Sequence, residues 1–99
     1  KKHIKREYCP VKEKIDFLYR IKDKSSNNNS FSLSRNKILF SIGIVNLYTD
    51  IQIEYNNFDE KEYTNYDILI SSGILDLIIV FIEKDLEELL SFNEIVLNE

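Results

Sequence analysis

The chain has 99 residues, 43% hydrophobic and 30% charged, a composition that suits one small globular domain and excludes disorder throughout. One Cys and one His exclude an internal disulfide and a Cys/His zinc site, and 2 Gly with 1 Pro argue against a many-stranded β fold. Residues 1–24 carry a net charge of +5 and residues 25–99 a net charge of −9, which predicts two surfaces with different electrostatic partners.

Residues 1–10 form a basic N-terminal segment with Lys1, Lys2, Lys5 and Arg6, read as a solvated terminus. It leads into Glu7, Tyr8, Cys9 and Pro10 rather than the apolar run of a secretory signal. An intracellular chain, cytoplasmic or nuclear, is the expectation. Pro10 suits the first turn of a helix. Over 11–23, Val11, Ile15, Leu18 and Ile21 have helical spacing, with Lys12, Glu13, Asp16 and Arg20 opposite. The alternation of Ile15, Phe17, Tyr19 and Ile21 is the rival strand reading.

Residues 24–33 are rich in Ser and Asn, which compete with helix for backbone bonds, and predict a polar loop. A second helix is predicted over 34–50, capped by Ser34 and apolar almost all round, as in a helix buried between neighbours. Residues 51–65 read as an acidic loop anchored by Ile51, Ile53, Tyr55 and Phe58. A short apolar piece at 67–72 ends at Gly73, which permits a sharp turn. Residues 74–82 form a further helix, and 85–98 another with Leu86, Leu89, Leu90 and Phe92 at helical spacing. The apolar stretch from Ile68 to Ile82 contains Asp76 and is shorter than the roughly 20 residues of a membrane span. The uncapped tail Ile95, Val96, Leu97 predicts a chain that stops inside or just beyond a helix.

Two segments together resemble a known family. Residues 41–47, Ser-Ile-Gly-Ile-Val-Asn-Leu, are similar to the third-helix signature of armadillo repeats, Ala-Trp-Ala-Leu-Ser-Asn-Leu. Residues 66–82, with Gly73 at the turn, resemble the short first helix, glycine turn and second helix that follow in that family. The resemblance implies an all-α, armadillo-like helical repeat fragment of about two repeats. Residues 11–23 would be the second helix of a preceding repeat and 85–98 a following third helix. It departs from the pattern in having longer connections at 24–33 and 51–65, and Ile42 where importin-type repeats carry Trp. A HEAT-like repeat or a small compact α+β domain is the alternative.

The residues carry no catalytic signature. His3 has no assignable triad partners, and Cys9 reads as a structural thiol. Asp59, Glu60 and Glu62 lack the spacing and turn Gly of a calcium loop, and Glu87/Glu88 read as a solvated face. No enzyme, metal or cofactor is expected. Asn46 stands out, because a buried helix tolerates Asn only where its amide finds partners, either within the core or on a groove. The family resemblance favours the groove, with Tyr48 and Tyr66 as amphipathic neighbours. The expected function is a protein-binding scaffold or adaptor that holds a protein or extended peptide at Asn46, Tyr48 and Tyr66. The alternative is a small acidic inhibitor acting by surface binding. Two repeats cannot cover their own apolar faces, so self-association or a partner is expected, and nucleic acid is not.

Overall fold

Proline sets the start of the first helix. In the computed structural model, which describes residues 3–27, 30–54 and 60–99, α1 spans Val11–Lys24 directly after Pro10, whose φ of −55° and ψ of 144° lie outside the helix. The Pro10 carbonyl accepts the Lys14 N–H at 3.1 Å. The buried face of α1 is Lys14, Phe17, Leu18 and Ile21, while Val11 is exposed and Ile15 half-buried. The expected face is therefore turned toward residue 14. A charged residue takes a core position because an opposite charge faces it across the interior.

Residues 24–33 are not wholly loop. Strands β1 (Ser26–Asn27) and β2 (Ser30–Phe31) form a small antiparallel hairpin, with Ser26 opposite Phe31. Helix α2 follows at Leu33–Tyr48, and its cap is Ser32 rather than Ser34. Ser32 has extended backbone angles, and its Oγ accepts the Arg35 N–H at 3.2 Å, satisfying a donor that the first helical turn leaves free.

As the all-round apolar pattern predicts, α2 is the central element: Leu39, Ile42, Val45 and Tyr48 are fully or almost fully buried. Gly43 lets α1 approach closely, since a Cβ there would lie 2.0 Å from the Phe17 ring. The region read as a 51–65 loop is shorter than expected. Helix α3 spans Glu60–Ser71, so residues 60–65 are helical. Glu60, Lys61 and Glu62 are good helix formers, and acidic residues suit a helix N-terminus. Tyr55, Phe58 and Asp59 lie outside the described residues.

Gly73 turns the chain with φ of 78°, and α4 then spans Ile74–Leu97. The expected break between 82 and 85 is reduced to non-helical angles at Ile82 (φ −113°, ψ 16°). Among the described residues no single helix is long and apolar enough to cross a membrane, and α3 and α4 are bent by 78° at Gly73.

The described N-terminal residues are not a solvated tail. Ile4 bridges Thr49, the Lys5 N–H donates to the Tyr48 carbonyl at 2.9 Å, and the Asp50 N–H donates to the His3 carbonyl at 2.9 Å. The extended segment thereby occupies the C-terminal end of α2, where backbone groups lack helical partners. The Cα radius of gyration is 13.0 Å, the value of a compact single domain of this length.

Candidate functional site

Asn46 lies in the last turn of α2, half-buried, and its amide is engaged by its own chain. Nδ2 donates to the Ile53 carbonyl at 2.7 Å, and Oδ1 accepts the Ile53 N–H at 2.7 Å. Gln52 Nε2 adds a bond to the Asn46 carbonyl at 3.2 Å. Asn46 thus clasps Ile53 by both backbone groups, the recognition expected of a groove Asn, but the occupant is the chain's own 51–54 segment. This clasp lines a polar cleft of about 360 Å³ with Lys5, Arg6, Glu13 and Arg20 among its other walls. Arg6 spans it, donating from Nε to the Leu47 carbonyl at 2.8 Å and from NH1 to Glu13 at 2.6 Å.

The three sequence-selected residues do not converge. Tyr48 belongs to the core: it is fully buried, and its hydroxyl donates to Asp85 Oδ2 at 2.5 Å. A phenol at this position of α2 points toward α4, which covers it, so Tyr48 cannot line a groove. Tyr66 is half-buried on α3 and is not among the described residues lining the Asn46 cleft.

Asp85 is the centre of a polar cluster that joins three helices. Besides Tyr48, it accepts the Cys9 N–H at 2.8 Å and the Lys14 ammonium at 2.5 Å. Lys14 also donates to Glu88 at 2.5 Å, and its Nζ stands 4.6 Å from the centroid of the Tyr8 ring. Glu88 is therefore an ion-pair partner, not merely part of a solvated face. Burial alone would raise the Asp85 pKa, but the bonds from Lys14, Tyr48 and Cys9 more than offset it, and the carboxyl lies below its ordinary value. Burial likewise opposes the Lys14 charge, yet bonding to Asp85 and Glu88 keeps its pKa above the ordinary one. Burial and the Asp85 bond push Tyr48 up, and burial pushes the Cys9 thiol to about 11. Such a thiol is a poor nucleophile at neutral pH.

The sequence held a signal for this cluster. Lys14 shares the i, i+3, i+4, i+7 stripe of Phe17, Leu18 and Ile21, and Asp85 shares that of Ile78, Ile82 and Leu89. One cation and one anion, each in an otherwise apolar stripe, are the mark of a buried pair.

A different surface is left apolar. On the first half of α4, Leu77 is 64% and Val80 70% exposed, with Ile74 also exposed and Phe81 half-buried beside them. Between this ridge and the N-terminal segment lies a cleft of about 180 Å³, lined by Ile4, Thr49, Ile51, Ile74, Leu77 and Phe81 among others. Asp76 and Glu83 are exposed along the same helix. No family model, curated protein or solved structure matches the chain.

Proposed function

We propose that the chain is a non-catalytic protein-binding module of the scaffold or adaptor kind, an armadillo-like helical unit whose partner is a protein or an extended peptide. The observation that carries this reading is the contiguous exposed apolar ridge of Ile74, Leu77 and Val80 beside an apolar cleft. Scattered surface apolar residues are ordinary, but a ridge joined to a cleft is what an interface leaves uncovered when its partner is absent. The order α2, α3, glycine turn, α4 supports the repeat reading. In this reading Asn46 holds the 51–54 segment as a wall of the binding surface, and it retains one N–H and one lone pair for a partner.

The test combines sedimentation velocity with binding of a hydrophobic dye. The pure chain is expected to self-associate or to bind dye, and Leu77→Lys is expected to reduce both. The urea midpoint should barely move, because Leu77 is mostly exposed. A stable monomer that binds no dye overturns the proposal. The alternative reading, a small acidic inhibitor acting by surface binding, is favoured by the absence of Lys or Arg from residues 62–83, which hold four carboxylates.

A further inference from the structure

We infer that the polar cleft beside the Asn46 clasp binds a phosphate monoester. The cleft shares no lining residue with the apolar cleft beside the α4 ridge, so this inference is independent of the protein-binding reading.

Helical spacing gathers the walls. Glu13, Phe17, Arg20 and Lys24 stand at i, i+4, i+7 and i+11, which places them within about 60° of arc on one face of α1. Asn46 and Leu47 line the cleft from α2, and the extended segments supply Lys5 and Arg6 on one hand and Glu54 on the other. The volume of about 360 Å³ falls within the roughly 300–1,000 Å³ typical of small-molecule sites.

Charge then selects the occupant. The chain carries a net charge of −4, yet the walls hold four cations, Lys5, Arg6, Arg20 and Lys24, against the carboxylates of Glu13 and Glu54. Glu13 is occupied: it accepts Arg6 NH1 at 2.6 Å, while Arg6 Nε donates to the Leu47 carbonyl at 2.8 Å. These two bonds fix the guanidinium in place, so little side-chain entropy is left to lose on binding. Its other N–H groups remain for a ligand, and a planar fork of donors matches the oxygens of a phosphate. Lys5 and Arg20 are exposed, and among the described residues neither side chain makes a bond. The remaining N–H of Asn46 adds a neutral donor. An excess of positive charge in a small hollow favours a phosphate monoester, which carries about −1.5 to −2 at neutral pH, over a singly charged carboxylate or sulfate ester. A nucleic-acid backbone needs a basic stripe longer than one cleft, and residues 25–99, with a net charge of −9, do not extend this one.

The test titrates the isotope-labelled full chain with phenyl phosphate and with phenyl sulfate, which has a similar shape and one negative charge. Amide NMR shifts report both site and affinity. Phenyl phosphate is expected to bind about three- to tenfold tighter, moving the amides of Arg6, Arg20 and Ile53. Arg20→Gln should weaken it about three- to tenfold, and Glu54→Gln should tighten it about twofold. Lys37→Gln removes an exposed positive charge that does not line the cleft and should change nothing. Far-ultraviolet dichroism checks that each variant keeps its helices. Absence of saturable binding, equal affinity for the two esters, or equal losses in Arg20→Gln and Lys37→Gln overturns the inference. So does tighter binding of a single-stranded RNA oligomer than of phenyl phosphate. A phosphoserine peptide distinguishes the sources of the phosphate. Tighter binding than phenyl phosphate assigns the group to a partner's modified side chain, and weaker binding assigns it to a small molecule.

Discussion

Asp85 accepts three donors from three parts of the chain, and at 6% exposure it has little water to replace them. Asp85→Ala would leave Lys14 without its buried counter-ion and the Tyr48 hydroxyl and Cys9 N–H without an acceptor. The expected loss is about 3–5 kcal/mol, a large share of the roughly 5–15 kcal/mol that holds a small domain folded. Urea denaturation measures it; a loss below about 1 kcal/mol would mean that the cluster is not buried in solution. Asn46 is a smaller case. Asn46→Ala removes two bonds to Ile53, each contributing about 0.5–1.5 kcal/mol, but half-buried Ile53 can recover water partners. A stability loss of about 1 kcal/mol is expected, with faster hydrogen exchange at the Ile53 amide. Unchanged exchange there would show that the clasp does not hold the segment.

The two glycines act on their elements in different ways. Gly73 sits at φ of 78° with open space where a Cβ would go, so Gly73→Ala costs only the left-handed strain of about 1–2 kcal/mol. Gly43 has helical angles but no room: its Cβ would meet two Phe17 ring atoms at 2.0 and 2.2 Å. Gly43→Ala gains about 1 kcal/mol of helix propensity yet forces α1 away from α2, and overpacking of this kind costs about 1–3 kcal/mol. The double variant Gly43→Ala, Phe17→Leu, which clears the ring atoms, should recover much of the packing loss. Thermal unfolding of Gly43→Ala and the double variant checks this; a double variant less stable than Gly43→Ala would place the strain elsewhere.

Over the whole molecule, the pH dependence of stability follows from the same cluster. Asp85 lies below its ordinary value of 3.8, so its contribution is present above that value and is lost as pH falls through the lowered one. Lys14, Tyr48 and Cys9 lie above their ordinary values of 10.5, 10.0 and 9.0. Each holds its proton longer when folded, so its contribution is present below the ordinary value and is lost as pH rises past it. Stability should therefore be nearly flat from about pH 5 to 9 and fall on both sides. In Tyr48→Phe the alkaline fall should become shallower, because one of the three groups is gone. Denaturant midpoints across pH check both statements; an alkaline limb unchanged by Tyr48→Phe would remove the phenol from the account.

By itself the sequence determined the local framework. Pro10, the 3.6-residue spacing of 11–23, the all-round apolar run of 34–50 and Gly73 each act within a turn or two, and the helices lie close to those positions. Even the 60–65 helix was legible in Glu60-Lys61-Glu62, though the surrounding Asn and Tyr made the segment resemble a loop. Tertiary structure decided the rest, because the partners lie far apart along the chain. Lys14 is a core residue only because Asp85, 71 positions on, is folded against it. Residues 3–5 of the basic segment are held because the end of α2 leaves backbone groups for them to bind. Tyr48 became core and Asn46 a clasp through which side of α2 each occupies once α4 and the 51–54 segment pack on it. Spacing gave both residues a place on the helix, but only packing settled what each of them faces.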